Sequence, residues 1–186
     1  NTIFFRGSST GYSPSNTTPS ELNRNTRIHA VRATLDRPGW DVRLVNTVQL
    51  RADVKKFVAS SYMGKVATLC TFARHKAVLD LDGNSNSWRG FFTKLHMRSI
   101  VFKVESSYRQ WFYHRLIRHK HFVPINLTED VVNTLPLRLS DYTPTDLKTS
   151  PIDELSYDWM RDAIVRWWDR YLRHVMVHTG AFRIGS

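Results

Sequence analysis

Three short segments of this chain place glycine, hydroxyl and basic side chains where apolar runs end, the combination that a diphosphate needs. In Phe5-Arg6-Gly7-Ser8-Ser9-Thr10-Gly11 an arginine stands beside glycines and hydroxyls after the apolar run Thr2-Ile3-Phe4-Phe5. Glycines let the backbone approach, N–H groups donate, and the guanidinium fork suits phosphate oxygens, so Arg6, Gly7, Ser8 and Thr10 are candidate ligands. An ordinary Ser/Gly turn is the other reading. In Asp80-Leu81-Asp82-Gly83-Asn84-Ser85-Asn86-Ser87-Trp88-Arg89 a strand end, a Gly-Asn turn and a helix start follow one another. Residues Asp82, Gly83, Asn84, Ser85, Asn86, Ser87, Trp88 and Arg89 would then surround one helix N-terminus, where the dipole favours an anion. Asp80 and Asp82 share one side of an extended strand and could hold a divalent cation on nucleotide phosphates, or Asp82 could cap the turn. A cation is therefore possible without being required.

The third segment, Lys103-Val104-Glu105-Ser106-Ser107-Tyr108-Arg109-Gln110-Trp111-Phe112, is a strand end entering an expected helix. Polar groups in the first turn of that helix could reach a ribose or a sugar, while Trp111, Phe112, Leu116 and Ile117 fit a core; Lys103 and Gln110 join the donor-site candidates through the resemblance described below. His114, His119 and His121 lack a cysteine or carboxylate partner, so they read as a solvated helix end and a buried strand histidine rather than metal ligands. Asn16-Thr17-Thr18 and Asn126-Leu127-Thr128 are N-glycosylation sequons.

The elements that must position these groups follow from hydrophobic period and turn chemistry. A strand ends at Phe5, residues 12–27 form an exposed polar connection, Asp41–Val45 is a strand and 52–62 a helix. Then come strand 76–81, helix 88–96, strand 99–104, helix 106–118 and strand 122–125. That β-α-β-α-β order predicts an α/β fold, a Rossmann-like parallel sheet with flanking helices, whose ligands sit at the carboxyl ends of the strands. The expected organisation is a Rossmann-like domain over 1–135, a linker over 136–156, and a long amphipathic helix and tail over 157–186, the first of which the resemblance described below makes a nucleotide-sugar-binding domain. Met160, Ile164, Trp167, Trp168, Tyr171 and Val175 form the apolar stripe of that helix.

Charge narrows the partner. The 27 Lys+Arg against 16 Asp+Glu give +11, with +7 carried by residues 74–121 and −5 by 122–169. An anionic partner follows. Basic residues and 23 aromatics would also serve a nucleic-acid-binding module, but the cations are scattered and no recognised nucleic-acid motif is present, so none is expected as partner. Cys70 is the only cysteine, which excludes an internal disulfide and a cysteine-based metal cluster. No apolar run approaches the roughly 20 residues of a membrane span, so any anchor would lie upstream of Asn1.

Taken in order, these segments resemble the glycosyltransferase family of CAP10-type capsule proteins and protein O-glucosyltransferases. The resemblance is carried by Phe4-Phe5-Arg6-Gly7-Ser8-Ser9-Thr10-Gly11, by Lys76 to Asn84 with Ser87 and Arg89, by Ser99 to Lys103, by Trp111-Phe112 and by His121-Phe122-Val123-Pro124-Ile125. It covers about residues 1–130. It implies the C-terminal, donor-binding half of a two-domain GT-B fold that binds a UDP-sugar. The implied reaction moves glucose or xylose to a protein or polysaccharide hydroxyl with inversion, in the lumen of the endoplasmic reticulum or Golgi. Ser8 and Asn84 to Arg89 would hold the UDP, with Arg6, Gly7 and Lys103 at the same cleft and the general base in an upstream N-terminal domain. Departures from the family pattern are Gln110 where a Glu is usual, Arg118-His119 where Pro-Trp is usual, and no match beyond about Asn133. A catalytically inactive relative that binds nucleotide or glycan is the alternative these departures raise.

Overall fold

The computed structural model describes residues 2–11, 19–87, 89–97, 99–110 and 112–142. Short β-rich apolar runs separated by polar loops form five strands: β1 Ile3–Ser8, β2 Trp40–Asn46, β3 Ala77–Asp80, β4 Ile100–Val104 and β5 Val123–Ile125. They make one parallel sheet in the order β2-β1-β3-β4-β5. The chain leaves β1 for β2 on one side and then crosses to β3 on the other. The order reverses between β1 and β3, where loops diverge and open a crevice at the carboxyl ends. The described residues thus have the expected Rossmann-like α/β architecture.

Alternation along the strands divides the apolar residues between two faces. Ile3, Phe5, Trp40, Val42, Leu44, Leu79, Ile100 and Phe102 belong to the main core, closed by Ile28 and Val31, by Val54 and Val58, and by Val132, Leu135 and Leu139. These closing residues come from α1 Thr26–Thr34, α2 Ala52–Ser61, and α5 Glu129–Thr134 with the 3-10 turn Leu135–Arg138. The intervening residues Phe4, Val78 and Val101 are buried outside that cluster, as are Phe91 and Leu95 of α4 Arg89–His96. Phe91 meets the rings of Phe112, Tyr113 and Phe122, and Phe4 meets Phe72 of α3 Leu69–Ala73 and stacks on His75.

Four expectations are corrected. The strand does not stop at Phe5: Arg6, Gly7 and Ser8 pair with Arg43, Leu44 and Asn46, and the loop begins at Ser9. Residues 19–27 are not an exposed connection, since the 3-10 turn Pro19–Arg24 buries Leu22 and Asn25 caps α1 by accepting from Arg27 N and Ile28 N. The helix expected over 106–118 does not form. Its described residues make an irregular loop and one 3-10 turn, Tyr113–Arg115, because Ser106 and Arg109 bond to Asp82 and to nearby carbonyls instead. The linker expected from 136 starts too early, because Leu139 is 1% exposed and its burial is worth about 2 kcal/mol. Residues 12–18, the remainder of that linker from 143 and the helix and tail expected over 157–186 lie outside the described residues. Among the described residues no helix is long and apolar enough to cross a membrane.

Candidate functional site

At the reversal point, three loops meet over the carboxyl ends of β1, β3 and β4. The loop after β1 and the loop after β3 touch twice: Gly11 N donates to Asn84 Oδ1 at 3.0 Å, and a Cβ on Gly83 would stand 2.6 Å from Thr10 Oγ1. Only glycine allows that approach. A Cβ on Gly7 would likewise meet the Phe5 ring at 2.6 Å, with the Arg27 guanidinium beside it. The loop after β4 joins them through Asn86 Nδ2, which donates to Arg109 O at 3.1 Å.

Arg27, which the sequence did not single out, braces the first two loops. From the first turn of α1 its guanidinium donates to Ser8 O at 3.0 Å, Leu81 O at 3.2 Å and Asp82 O at 3.3 Å. Burial pushes its pKa down, opposed by Asp80 and Asp82, and an arginine so placed keeps its charge. A fixed cation therefore stands at the crevice.

Beneath it lies a buried ionic cluster. Asp80 is fully buried and pairs with Lys94 at 2.7 Å and Lys103 at 3.0 Å; Asp82, 3% exposed, pairs with Lys103 at 2.7 Å. Burial alone would raise the Asp80 pKa, but the two ammonium groups and the Ser87 hydroxyl outweigh it and hold it at about 2. Lys103 reaches both carboxylates as ion pairs rather than as aligned hydrogen bonds. A divalent cation would have to displace these lysines from the Asp80-x-Asp82 pair. Among the described residues no three His, Cys, Asp or Glu side chains gather as metal ligands.

The expected site residues take different roles. The Ser87 hydroxyl donates a hydrogen bond to Asp80 Oδ1 at 2.7 Å, and its backbone N–H donates to Asp82 Oδ1 at 2.9 Å, so Asp82 takes the turn-capping role. Arg89 is exposed at the first residue of α4. Gly83, Asn84, Ser85 and Asn86 form the loop between them, and Trp88 lies outside the described residues. Arg6 is engaged elsewhere: it pairs with Asp41 at 2.7 Å, donates to Asp41 O and Phe5 O, and lies over the Phe4 ring. His114 and His119 are exposed, whereas His121 is buried and its Nδ1 accepts from Ile117 N at 3.0 Å. That bond makes His121 a structural residue of its turn, with burial and Lys120 lowering its pKa.

An open cavity of about 450 Å³ lies beside this cluster, at the carboxyl end of β4, and Phe91, Lys103, Arg109, Gln110 and Tyr113 help to line it. Besides the ion-paired Lys103 Nζ, two of these carry buried polar atoms without a hydrogen-bond partner, Gln110 Nε2 and Tyr113 Oη, and Asn86 Oδ1 on the adjoining loop is another. Buried orphans of this kind cost about 1–3 kcal/mol each unless something satisfies them. Burial, followed by Asp82 and Asp80, pushes the Tyr113 pKa far above its ordinary value, so its hydroxyl keeps its proton. The lining thus carries an amide donor and a hydroxyl without partners beside the Lys103 ammonium and the Arg109 guanidinium, which suits a polar ligand bearing oxygens. Arg27 was missed in the sequence because its partners come from distant segments, and Tyr113 because the cavity it lines is assembled from separate segments.

A comparison with curated proteins found no match. The sequence profile of glycosyl transferase family 90 matches residues 9–163, which begins just after Phe4–Ser8 and runs past Asn133, where the residue-by-residue resemblance fades. The matched span contains the two later loops, Arg27 and the cavity. The chain belongs to glycosyl transferase family 90, and hence to a family of glycosyltransferases.

Proposed function

We propose that this chain is the donor-binding part of a transferase that moves glucose or xylose from a UDP-sugar to a protein or polysaccharide hydroxyl with inversion. The observation that carries this reading is the meeting of three loops at the β1/β3 reversal, with the Arg27 cation over the strand ends and an adjoining cavity lined by Gln110 and Tyr113, whose buried polar atoms lack partners. The diphosphate would lie along Asn84–Ser87 toward Arg89, and the nucleoside would enter the cavity, where Gln110 and Tyr113 gain partners.

In such a displacement the acceptor oxygen bonds to the anomeric carbon as the bond from that carbon to the diphosphate breaks. The acceptor proton passes to a base, and UDP leaves with the bonding pair. Negative charge grows on the departing diphosphate, so cations already fixed in place stabilise the transition state more than the ground state. Arg27 is held by three carbonyls and Arg89 stands at a helix N-terminus, so both suit that role. Lys94 and Lys103 neutralise Asp80 and Asp82, which supports binding without a divalent cation. The base is assigned to an upstream domain of a GT-B arrangement. A secretory-pathway lumen fits the exposed sequon residue Asn126 between β5 and α5.

Calorimetric titration of the intact chain with UDP, at two salt concentrations and with a short DNA as competitor, tests this. One saturable site that survives DNA supports the reading. A folded chain that ignores UDP and binds DNA in a salt-dependent way overturns it in favour of a basic nucleic-acid binder.

A further inference from the structure

We infer that Asp82 is a positioning residue that couples the β3–α4 loop to the β4 loop, so that the two parts of the ligand site are set together. Its carboxylate reaches both loops at once. Oδ1 accepts the Ser87 N–H at 2.9 Å, two residues before α4, and contacts Lys103 at 2.7 Å, while Oδ2 accepts the Ser106 hydroxyl, two residues after β4. Lys103 and the Ser87 hydroxyl return to Asp80 at 3.0 and 2.7 Å, which closes a ring of side chains around the ends of β3 and β4. A separate strap, Asn86 to Arg109 O, joins the same loops nearer the surface.

Because Asp82 is buried and every one of these bonds is made inside the protein, it has no oxygen left to meet a ligand. Its effect is transmitted through the loops. The loop at Ser87 leads into the α4 N-terminus and the loop at Ser106 leads to Gln110 and the cavity, so a shift of one drags the other. The coupling stands on this geometry alone; its consequence for UDP rests on the nucleotide reading above.

The test uses the intact chain and the variants Ser106→Ala and Asp82→Asn. Without ligand, Ser106→Ala should speed amide exchange at Ser87 and its neighbours about tenfold while β1 and β2 stay protected, since loops opening as one unit lose protection together. Exchange that rises only around residue 106 overturns the coupling. With ligand, Asp82→Asn should weaken UDP about tenfold while uridine and inorganic pyrophosphate, titrated separately, each weaken far less, as expected when a coupling energy is lost. Equal losses for uridine and UDP would make Asp82 the support of one subsite and overturn the proposal. If the wild-type chain does not bind UDP but the exchange result holds, the nucleotide reading fails and the coupling stands. Should Asp82→Asn fail to fold, Ser106→Ala carries both measurements.

Discussion

The two halves of the sheet handle polar groups differently. In the β2–β1 half, every polar side chain discussed finds its partner nearby. Arg6 is taken by Asp41 and three carbonyls, Arg43 by Asp36 and Val42 O, and Ser9 Oγ both donates to Val48 O and accepts from Val48 N. The β3–β4 half also pairs its charges, yet it leaves Asn86 Oδ1, Gln110 Nε2 and Tyr113 Oη buried without partners, the last two on residues that line a cavity. Both halves carry arginine, glycine and hydroxyls. What separates architecture from site is whether the hydrogen-bonding capacity is used up.

The largest break in that comparison should come from Asp80→Ala. It strands the Lys94 and Lys103 ammonium groups, so denaturant unfolding should show a loss of about 3–5 kcal/mol. A loss below 1 kcal/mol would mean that the cluster does not hold the strand ends. Next, Arg89→Ala should weaken UDP by about 1.5–3 kcal/mol in calorimetry, the range for hydrogen bonds to charged groups, with the melting temperature unchanged. Tyr113→Phe sharpens the contrast, because removing an orphan hydroxyl should leave stability within about 0.5 kcal/mol while UDP weakens by about 1 kcal/mol. The smallest effect belongs to Arg6→Met, which should cost at most about 1 kcal/mol of stability and leave UDP affinity untouched. If Arg6→Met lowered UDP affinity as much as Arg89→Ala does, the division between the halves would be lost.

Acid provides a further check on the charged half. The folded pKa of Asp80, about 2, is depressed below an ordinary aspartate value of about 3.9. Its contribution to stability is therefore fully present above about pH 4 and is lost as pH falls toward 2. Asp80→Asn should flatten the pH dependence of the melting temperature in that window, and an unchanged slope would assign the acid sensitivity to other groups.

The strands and α4 were legible because each is a local statement: a short apolar run, a turn, then helical spacing from Arg89 to His96. The corrections arise where long-range bonds decide. Apolar spacing at Phe112, Leu116 and Ile117 imitates a helix, but Ser106 is drawn off to Asp82, 24 residues away. The three carbonyls that give Arg27 its place are 19, 54 and 55 residues distant, beyond any local pattern. α1 was hidden because arginine, histidine and threonine interrupt its apolar face, and only the Asn25 cap marks its start. In the site, glycine and Asp82 were recognisable by type. Whether a hydroxyl faces ligand or carboxylate, as at Ser87, was not.

The segment from Glu129 to Leu139 returns to the opposite end of the sheet. Trp40 Nε1 donates to Val132 O at 2.8 Å, Lys76 Nζ to Leu139 O at 2.9 Å, and a Cβ on Gly39 would stand 2.3 Å from Pro136 Cβ. During synthesis, then, the first two strands are made long before the segment that seals them. Until Leu139 leaves the ribosome, Trp40, Val42 and Leu44 lack part of their cover, and closing so long a loop slows folding. Nascent chains stopped before residue 129 should therefore be cut by protease within β2, whereas those stopped after 142 should resist.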